Sequence, residues 1–435
     1  MLFWLARARY TPRAMEAHQK PSAPAPKPAR FRGGRWLLLT HEPFWPPSGG
    51  GSAEAFYLAK ELLRRGSRVE VMAPEGERSA SPPETPGLRV RPFRGWRLGR
   101  YSRFRPLRYL FYPLKLVREA RALFDRNPPD AILAQHALSC AAAGRLKRAW
   151  GAPAVFNYLD CLAGYLERWP LMPRPTARAL VRYELALPRR LEADAALAVS
   201  DELAERLAQN GFPASRILPI YYGFDAELFR FDPNSPRSPE PLAVMHGSFD
   251  RHHIGPIAME AARRLLRSHP RLRIRFVGRV TGPLRKLLRR LEKDGLGRRV
   301  EATGFAPYAE VAEKIRPAWA GLVPYEDSTG AQCAFVAKAV EYLAVGVPTI
   351  CTNLAGLRRF FGKEPMIRFA AFDPAAFAEA VLAELETPPE TRAEAARKAS
   401  ARVAKELDWR TICRRAIDFA EAAAARAKTK SEEGR

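Results

Sequence analysis

From Trp36 onward, short apolar runs alternate with stretches of helical period. The runs lie at 36–40, 69–73, 131–135, 153–157 and 195–199, and again at 242–246, 272–278, 299–303, 319–323 and 347–352. Runs this short, apolar throughout rather than at every second residue, predict parallel strands covered on both faces. Strand–helix–strand succession then predicts βαβ units wound into parallel sheets. Between the two series, residues 226–241 (AELFRFDPNSPRSPEP) carry four prolines and no period, which makes them a linker. The fold class is therefore α/β: two Rossmann-like doubly wound domains in tandem, cut near residue 233, facing across a cleft. Ligands of open α/β sheets bind at the C-terminal edges of the strands, so the cleft is where a site is expected. The divisions read as a disordered basic tail over 1–34, a first domain over 35–232, a second over 233–404, a terminal helix over 405–427 and a tail over 428–435. Trp409 stands at a break between two helices.

Two segments carry chemistry. The first, Pro46-Pro47-Ser48-Gly49-Gly50-Gly51-Ser52, follows the first strand and opens a helix with an apolar stripe at Ala55, Leu58, Ala59 and Leu62 and a stop at Gly66. Consecutive glycines let the backbone approach a ligand, and free N–H groups at a helix start suit phosphate. The loop is neither G-x-G-x-x-G nor a Walker motif, so neither a dinucleotide fingerprint nor a P-loop is indicated. The second segment runs from Lys338 through Glu341 to Gly346 and Pro348. Lys338 and Glu341, three apart, share a helix face. One brings positive charge and the other accepts hydrogen bonds from hydroxyls, the two kinds of partner that a nucleotide diphosphate needs. A plain surface ion pair is the competing reading.

Charge adds a partner. The chain of 435 residues has 72 Lys+Arg against 46 Asp+Glu, a net charge of +26, which argues for a polyanionic neighbour. Residues 91–126 hold eleven Lys/Arg against two acids, interleaved with Phe93, Trp96, Tyr101, Phe104, Tyr109, Phe111 and Tyr112. Rings at headgroup depth and cations over anionic lipid suit a bilayer interface. No apolar run approaches the ~18 residues of a transmembrane helix, so the expectation is a peripheral protein on the inner face of the cell membrane. The five cysteines show no C-x-x-C pair, which excludes a zinc ribbon and suits a reducing cytoplasm. No D-x-D triplet occurs.

Five segments together resemble the retaining glycosyltransferases of family 4, which have the GT-B fold. They are the glycine loop; Ala193-Asp194 with Ala198-Val199-Ser200; Tyr222-Gly223-Phe224-Asp225 with Phe229; Phe276-Val277-Gly278 followed by Gly304-Phe305; and Lys338 to Pro348. The resemblance implies a hexosyltransferase that uses a nucleotide diphosphate sugar as co-substrate, with no metal or other cofactor, and a C-terminal helix that returns to the first domain. It implies donor contacts at Gly49, Gly50, Gly51, Gly247, Ser248, Arg251, Cys333, Ala334, Phe335, Lys338 and Glu341, with Glu341 on the ribose. The acceptor, a glycan or glycolipid, would lie on the first domain.

Three positions depart from the family pattern. Cys333 stands where an acidic residue is usual, eight before Glu341. A substitute contact is expected from Glu326, Asp327 or the amides of Cys333 to Phe335. Ile254 replaces a phosphate-binding lysine, and Arg251 is the expected replacement, His252 and His253 being read as exposed loop residues. Leu159 replaces a histidine, leaving Asp160 either to orient the acceptor hydroxyl or merely to cap the following helix. The catalytic set is thus Asp160, Arg251 and Lys338. A nucleotide-sugar-binding module without transfer activity and, more remotely, a basic nucleic-acid-binding protein or a nucleotide-sugar epimerase are the alternatives. Specific nucleic-acid binding is not expected, because no finger or helix-turn-helix signature occurs.

Overall fold

A computed structural model describes residues 33–47, 50–75, 84–94, 107–168 and 172–433. Ser48 and Gly49 of the glycine loop, residues 95–106 of the basic stretch and the tail over 1–32 lie outside these. The first sheet has seven strands: β1 (Arg35–Leu39), β2 (Arg68–Pro74), β3 (Leu88–Phe93), β4 (Ala131–Gln135), β5 (Ala154–Tyr158), β6 (Ala195–Ala198) and β7 (Ile217–Pro219). Their order is β3-β2-β1-β4-β5-β6-β7, and every pair is parallel. The second has six: β8 (Leu242–His246), β9 (Arg273–Val277), β10 (Val300–Gly304), β11 (Ala320–Val323), β12 (Thr349–Thr352) and β13 (Ile367–Ala370), in the order β10-β9-β8-β11-β12-β13, again parallel. All ten expected runs form strands. The central ones, β1, β4, β5, β8 and β12 among them, are buried almost end to end, because helices cover both faces.

In each sheet the winding direction reverses once, between β1 and β4 and between β8 and β11. Crevices open outside the strand ends at such points. Helix α1 (Gly51–Arg64) starts at the first of them, burying Ala55, Leu58, Ala59 and Leu62 and ending before Gly66 (φ 82°) as its pattern predicts.

The two lobes face across the cleft and touch along its floor. A Cβ on Gly164 would stand 2.2 Å from Gly330 N, so two backbones meet where any side chain would separate them. Thr329 donates from N and Oγ1 to the Glu167 carboxylate (2.8 and 2.9 Å), and Ser200 Oγ donates to the Cys333 carbonyl (2.6 Å). One apolar cluster runs through both lobes, from Trp36 by way of Phe224 to Tyr342.

The chain returns to the first lobe at its end. Helix α13 (Ala393–Leu407) and helix α14 (Trp409–Glu433) break at Asp408, where Phe224 N donates to Leu407 O and Trp409 N to Phe224 O, both at 3.0 Å. Buried Trp409 stacks on Tyr57 of α1. Arg65 locks α14 to α1, meeting Glu61, Asp418 and Glu421 at 2.7–2.8 Å.

Candidate functional site

The second lobe contributes a cationic corner. Helix α10 (Ala337–Ala344) carries Lys338 in its first turn, and Lys338 Nζ donates to Tyr325 Oη at 3.0 Å. His253 Nε2 lies 2.8 Å from the same Oη and 3.3 Å from Nζ. Tyr325 is buried, which holds its phenol well above the usual range and keeps it neutral. The lysine stem passes over Gly247, where the chain leaves β8 with φ 97°; a Cβ there would come within 3.1 Å of Lys338 Cε. Gly247 itself is exposed and Ser248 half-buried, so this corner opens to the cleft.

One turn further along α10, Glu341 is 5% exposed, and its Oε2 lies 2.5 Å from His246 Nε2 at the end of β8. Lys338 and Glu341 thus have separate partners, unlike a surface ion pair.

Around this corner the structure corrects one expectation. His252 and His253 are not exposed loop residues: His253 is buried against Tyr325, and His252 stacks on Tyr165 of the first lobe (4.3 Å, 28°). Between Asp250 and His252, Arg251 is exposed, while Ile254 is buried in the second lobe's own apolar cluster. Three of the expected substitute contacts for Cys333 already have a partner. Glu326 Oε1 accepts Ile257 N (2.8 Å) at the start of helix α6 (Pro256–Ser268), and Asp327 accepts Gln332 Nε2 (2.7 Å). Ala334 N is spent on Ala331 O (3.1 Å), and Phe335 is buried against Phe360 and Phe361. Cys333 is buried beside Cys161 of the first lobe, whose thiol that contact and burial push up.

The first lobe contributes an acidic and imidazole corner. Gly50 ends the glycine loop with φ 61°, and its carbonyl accepts Tyr222 Oη (2.5 Å). The free amides expected at the start of α1 are partly taken, since Ser52 N donates to Glu42 Oε2 (3.2 Å). A carboxylate satisfies a helix N-terminus as a phosphate would. His136 follows β4 and holds φ 61°, a region rare for residues other than glycine and often a mark of function. A Cβ on Gly51 would reach within 2.8 Å of His136 Nε2 and 3.2 Å of Leu159 Cδ1.

Behind this layer, Glu54 is buried, and its Oε2 accepts Gln135 Nε2 (2.9 Å) and Asn157 Nδ2 (3.1 Å). Burial pushes its pKa up to about 8 against those two hydrogen bonds, and the charges of Glu42 and Asp160 add to the rise. Asp160, half-buried after β5, accepts Tyr165 Oη (3.1 Å). In the following turn the amides of Leu162 and Ala163 go to buried Glu184 (2.8 and 2.7 Å).

His41, His136, Glu42, Glu54, His246 and Tyr325 are the site residues that the sequence reading missed. His136 and His246 had one signal in common, a polar residue closing an apolar strand run. Two triads have ligand atoms within 4.8 Å of one another and could hold a metal ion: His41, Glu42 and His136 in one lobe, Asp250, His252 and His253 in the other.

Residues 49–223 match the family model of a glycosyl transferase 4-like domain, and residues 240–387 that of the glycosyl transferases group 1. No curated protein matches the chain in sequence. Among solved structures it resembles sucrose-phosphate synthase from Thermosynechococcus elongatus (TM-score 0.74, 18% identity, covering 88% of this chain and 97% of that one). It also resembles Anabaena HepE in complex with UDP and glucose (0.64, 19%, 88% and 98%). A third is α,α-trehalose 6-phosphate synthase from Burkholderia multivorans (0.66, 13%, 91% and 100%). At these identities the likeness is one of fold.

Proposed function

The chain belongs to the glycosyltransferases of the GT-B fold, and from that premise we propose that it moves a hexose, with retention, from a nucleotide diphosphate sugar to a membrane-associated lipid-linked or oligosaccharide acceptor. The observation that carries the reading is the corner formed by Lys338, Gly247 and the His246–Glu341 pair at the C-terminal edge of the second sheet, opposite Gly50 and Asp160 at the edge of the first. The donor lies on the second lobe, over 233–404, and the acceptor on the first, over 35–232.

Glu341 takes the ribose hydroxyls, oriented by His246. Lys338, steadied by Tyr325 and His253, meets the diphosphate together with Arg251, whose planar fork suits phosphate oxygens. Ser248 and the amide of Gly247 line the same corner, and Gly50 and Gly51 bring the first lobe's backbone to the sugar. As the bond from the anomeric carbon to the diphosphate breaks, the acceptor oxygen bonds to that carbon on the same face, and its proton passes to the leaving phosphate oxygen. Lys338 and Arg251 stabilise the charge that develops there. Asp160 orients the acceptor hydroxyl. No metal takes part in this scheme, and the enzyme works in the cytoplasm at the inner face of the membrane.

The test is a thermal-shift panel of UDP, GDP, ADP and their sugars, since a ligand that binds only the folded state raises the melting temperature. The UDP complex of HepE makes uridine nucleotides the first to try. No shift with any member removes the proposal. A second reading, a module that binds the donor without transferring it, is favoured by Leu159 packed against Gly51. Release of free sugar from a bound donor decides between the two.

A further inference from the structure

Among the described residues, six large apolar side chains are exposed, and five of them belong to one helix and its cap. Helix α2 (Arg108–Phe124) and the residue before it present Leu107 (44% exposed), Leu110 (58%), Phe111 (48%) and Leu114 (49%), with Leu123 at the far end. The first four follow the spacing i, i+3, i+4, i+7, so they form one stripe. The opposite face of the helix, with Tyr112, Leu116, Ala120 and Phe124, is buried in the first lobe's core. Protein surfaces rarely expose so continuous an apolar stripe without a use for it.

Charge identifies what covers it. The helix carries four Lys/Arg and one acid in a chain of net charge +26. Lys115 and Arg118 flank the stripe, and Lys115 Nζ donates to the carbonyl of Arg94, itself 81% exposed. Arg118 also meets Glu119 at 3.4 Å, the one acid of the helix. An apolar stripe edged by cations is the pattern of a helix lying in the plane of a membrane interface.

We propose that the first two turns of α2 dock this lobe on an anionic phospholipid surface, with Leu107, Leu110, Phe111 and Leu114 among the headgroups and Arg94, Lys115 and Arg118 over the lipid phosphates. The placement fits the site. Tyr112 Oη, on the buried face, donates to Thr40 O (2.7 Å), the residue before His41 at the reversal of the first sheet. The docked helix therefore stands beside the mouth where the acceptor enters. The inference deepens the reading of a membrane-associated acceptor, but its test needs neither donor nor acceptor, so the two can fail separately.

The experiment is co-sedimentation of the full chain with vesicles of phosphatidylcholine alone or mixed with phosphatidylglycerol. Binding should require phosphatidylglycerol and weaken with salt. The triple variant Leu110→Ser, Phe111→Ser, Leu114→Ser should lose about tenfold or more in vesicle partition with an unchanged melting temperature. The pair Lys115→Glu, Arg118→Glu should lose roughly tenfold on the anionic vesicles alone. Leu123→Ser, off the stripe, should bind as the parent does. Equal binding by the triple variant, or no binding to either vesicle, overturns the proposal. So does a concentration-dependent dimer that the triple variant abolishes, since a second copy of the chain would then be the occupant.

Discussion

Glu341 and Lys338 share one turn of α10 but answer to different partners. Glu341 is held at the end of β8 by His246, and Lys338 lies over Gly247 toward Tyr325 and His253. Replacing Glu341 by alanine takes the carboxylate partner from buried His246 and, in the proposed scheme, removes the acceptor for ribose hydroxyls. The expected loss is about 2–3 kcal/mol of nucleotide binding, near a hundredfold, read by calorimetry. Unchanged affinity would detach Glu341 from the donor. Glu54 makes a prediction about pH. Its folded pKa of about 8 lies above the ordinary 4.5, so between those values the folded state holds a proton that the unfolded chain releases. The neutral acid therefore favours folding fully below about pH 4.5. That contribution is lost progressively as pH rises to about 8 and is absent above it. Glu54→Gln, neutral at every pH, should flatten this part of the melting profile. The parent should lose melting temperature relative to the variant between pH 5 and 8, and parallel profiles would show that Glu54 is charged when folded.

Helix α14 is pinned to α1 by a single guanidinium that meets three carboxylates. Arg65 and Glu61 are largely buried, and Glu421 with them, while Asp418 is exposed. The Arg64 and Arg65 side chains outweigh burial and hold Glu61 below the usual carboxylate range. Arg65→Ala takes the guanidinium from buried Glu421, leaves Glu61 to Arg64 alone, and should cost about 2–4 kcal/mol in denaturant unfolding. Because the same helices meet through Tyr57 and Trp409, α14 should also become more susceptible to proteolysis than the rest of the chain. A loss below about 0.5 kcal/mol would mean that the aromatic stack alone holds the terminal helix.

At the scale of the whole molecule, the lobes meet through backbone, not only through side chains. Gly330→Val would bring a Cβ within 2.7 Å of Tyr165 N and 2.9 Å of Cys161 O, so the cleft could not close. If the donor binds the second lobe alone, as proposed, nucleotide affinity should hold to within about threefold, while transfer should fall by about a hundredfold or more, as misplacement of the reacting groups predicts. A parallel loss of nucleotide binding would place the donor across both lobes. Chelation is a second test at this scale. If the cationic corner alone stabilises the leaving diphosphate, EDTA should leave transfer unchanged. A loss restored by a divalent ion would direct attention to the two histidine-containing triads.

What the sequence determined by itself was whatever local pattern can carry. Strands buried on both faces must be apolar throughout, so β1, β4, β5, β8 and β12 announce themselves. The α1 stripe with Gly66, the crossing before β8 and the joint at Trp409 are equally local. Three of the four edge strands were not legible. β3 (LRVRPF) is covered on few sides and carries arginines, β7 has three residues, and β13 (IRFA) is too short to stand out from a loop. The Lys338–Glu341 pair could be read from its spacing, but its partners could not. His246 is 95 residues from Glu341, and Gly51 is 85 from His136, separations at which no period in the chain relates one residue to the other. Only the folding of each sheet about its reversal brings those strand ends together. Only the contact of the lobes makes His252 a partner of Tyr165 and ties the Cys333 carbonyl to Ser200. Burial of a strand is a property of its own residues, whereas the surroundings of a site belong to segments that meet through the tertiary structure.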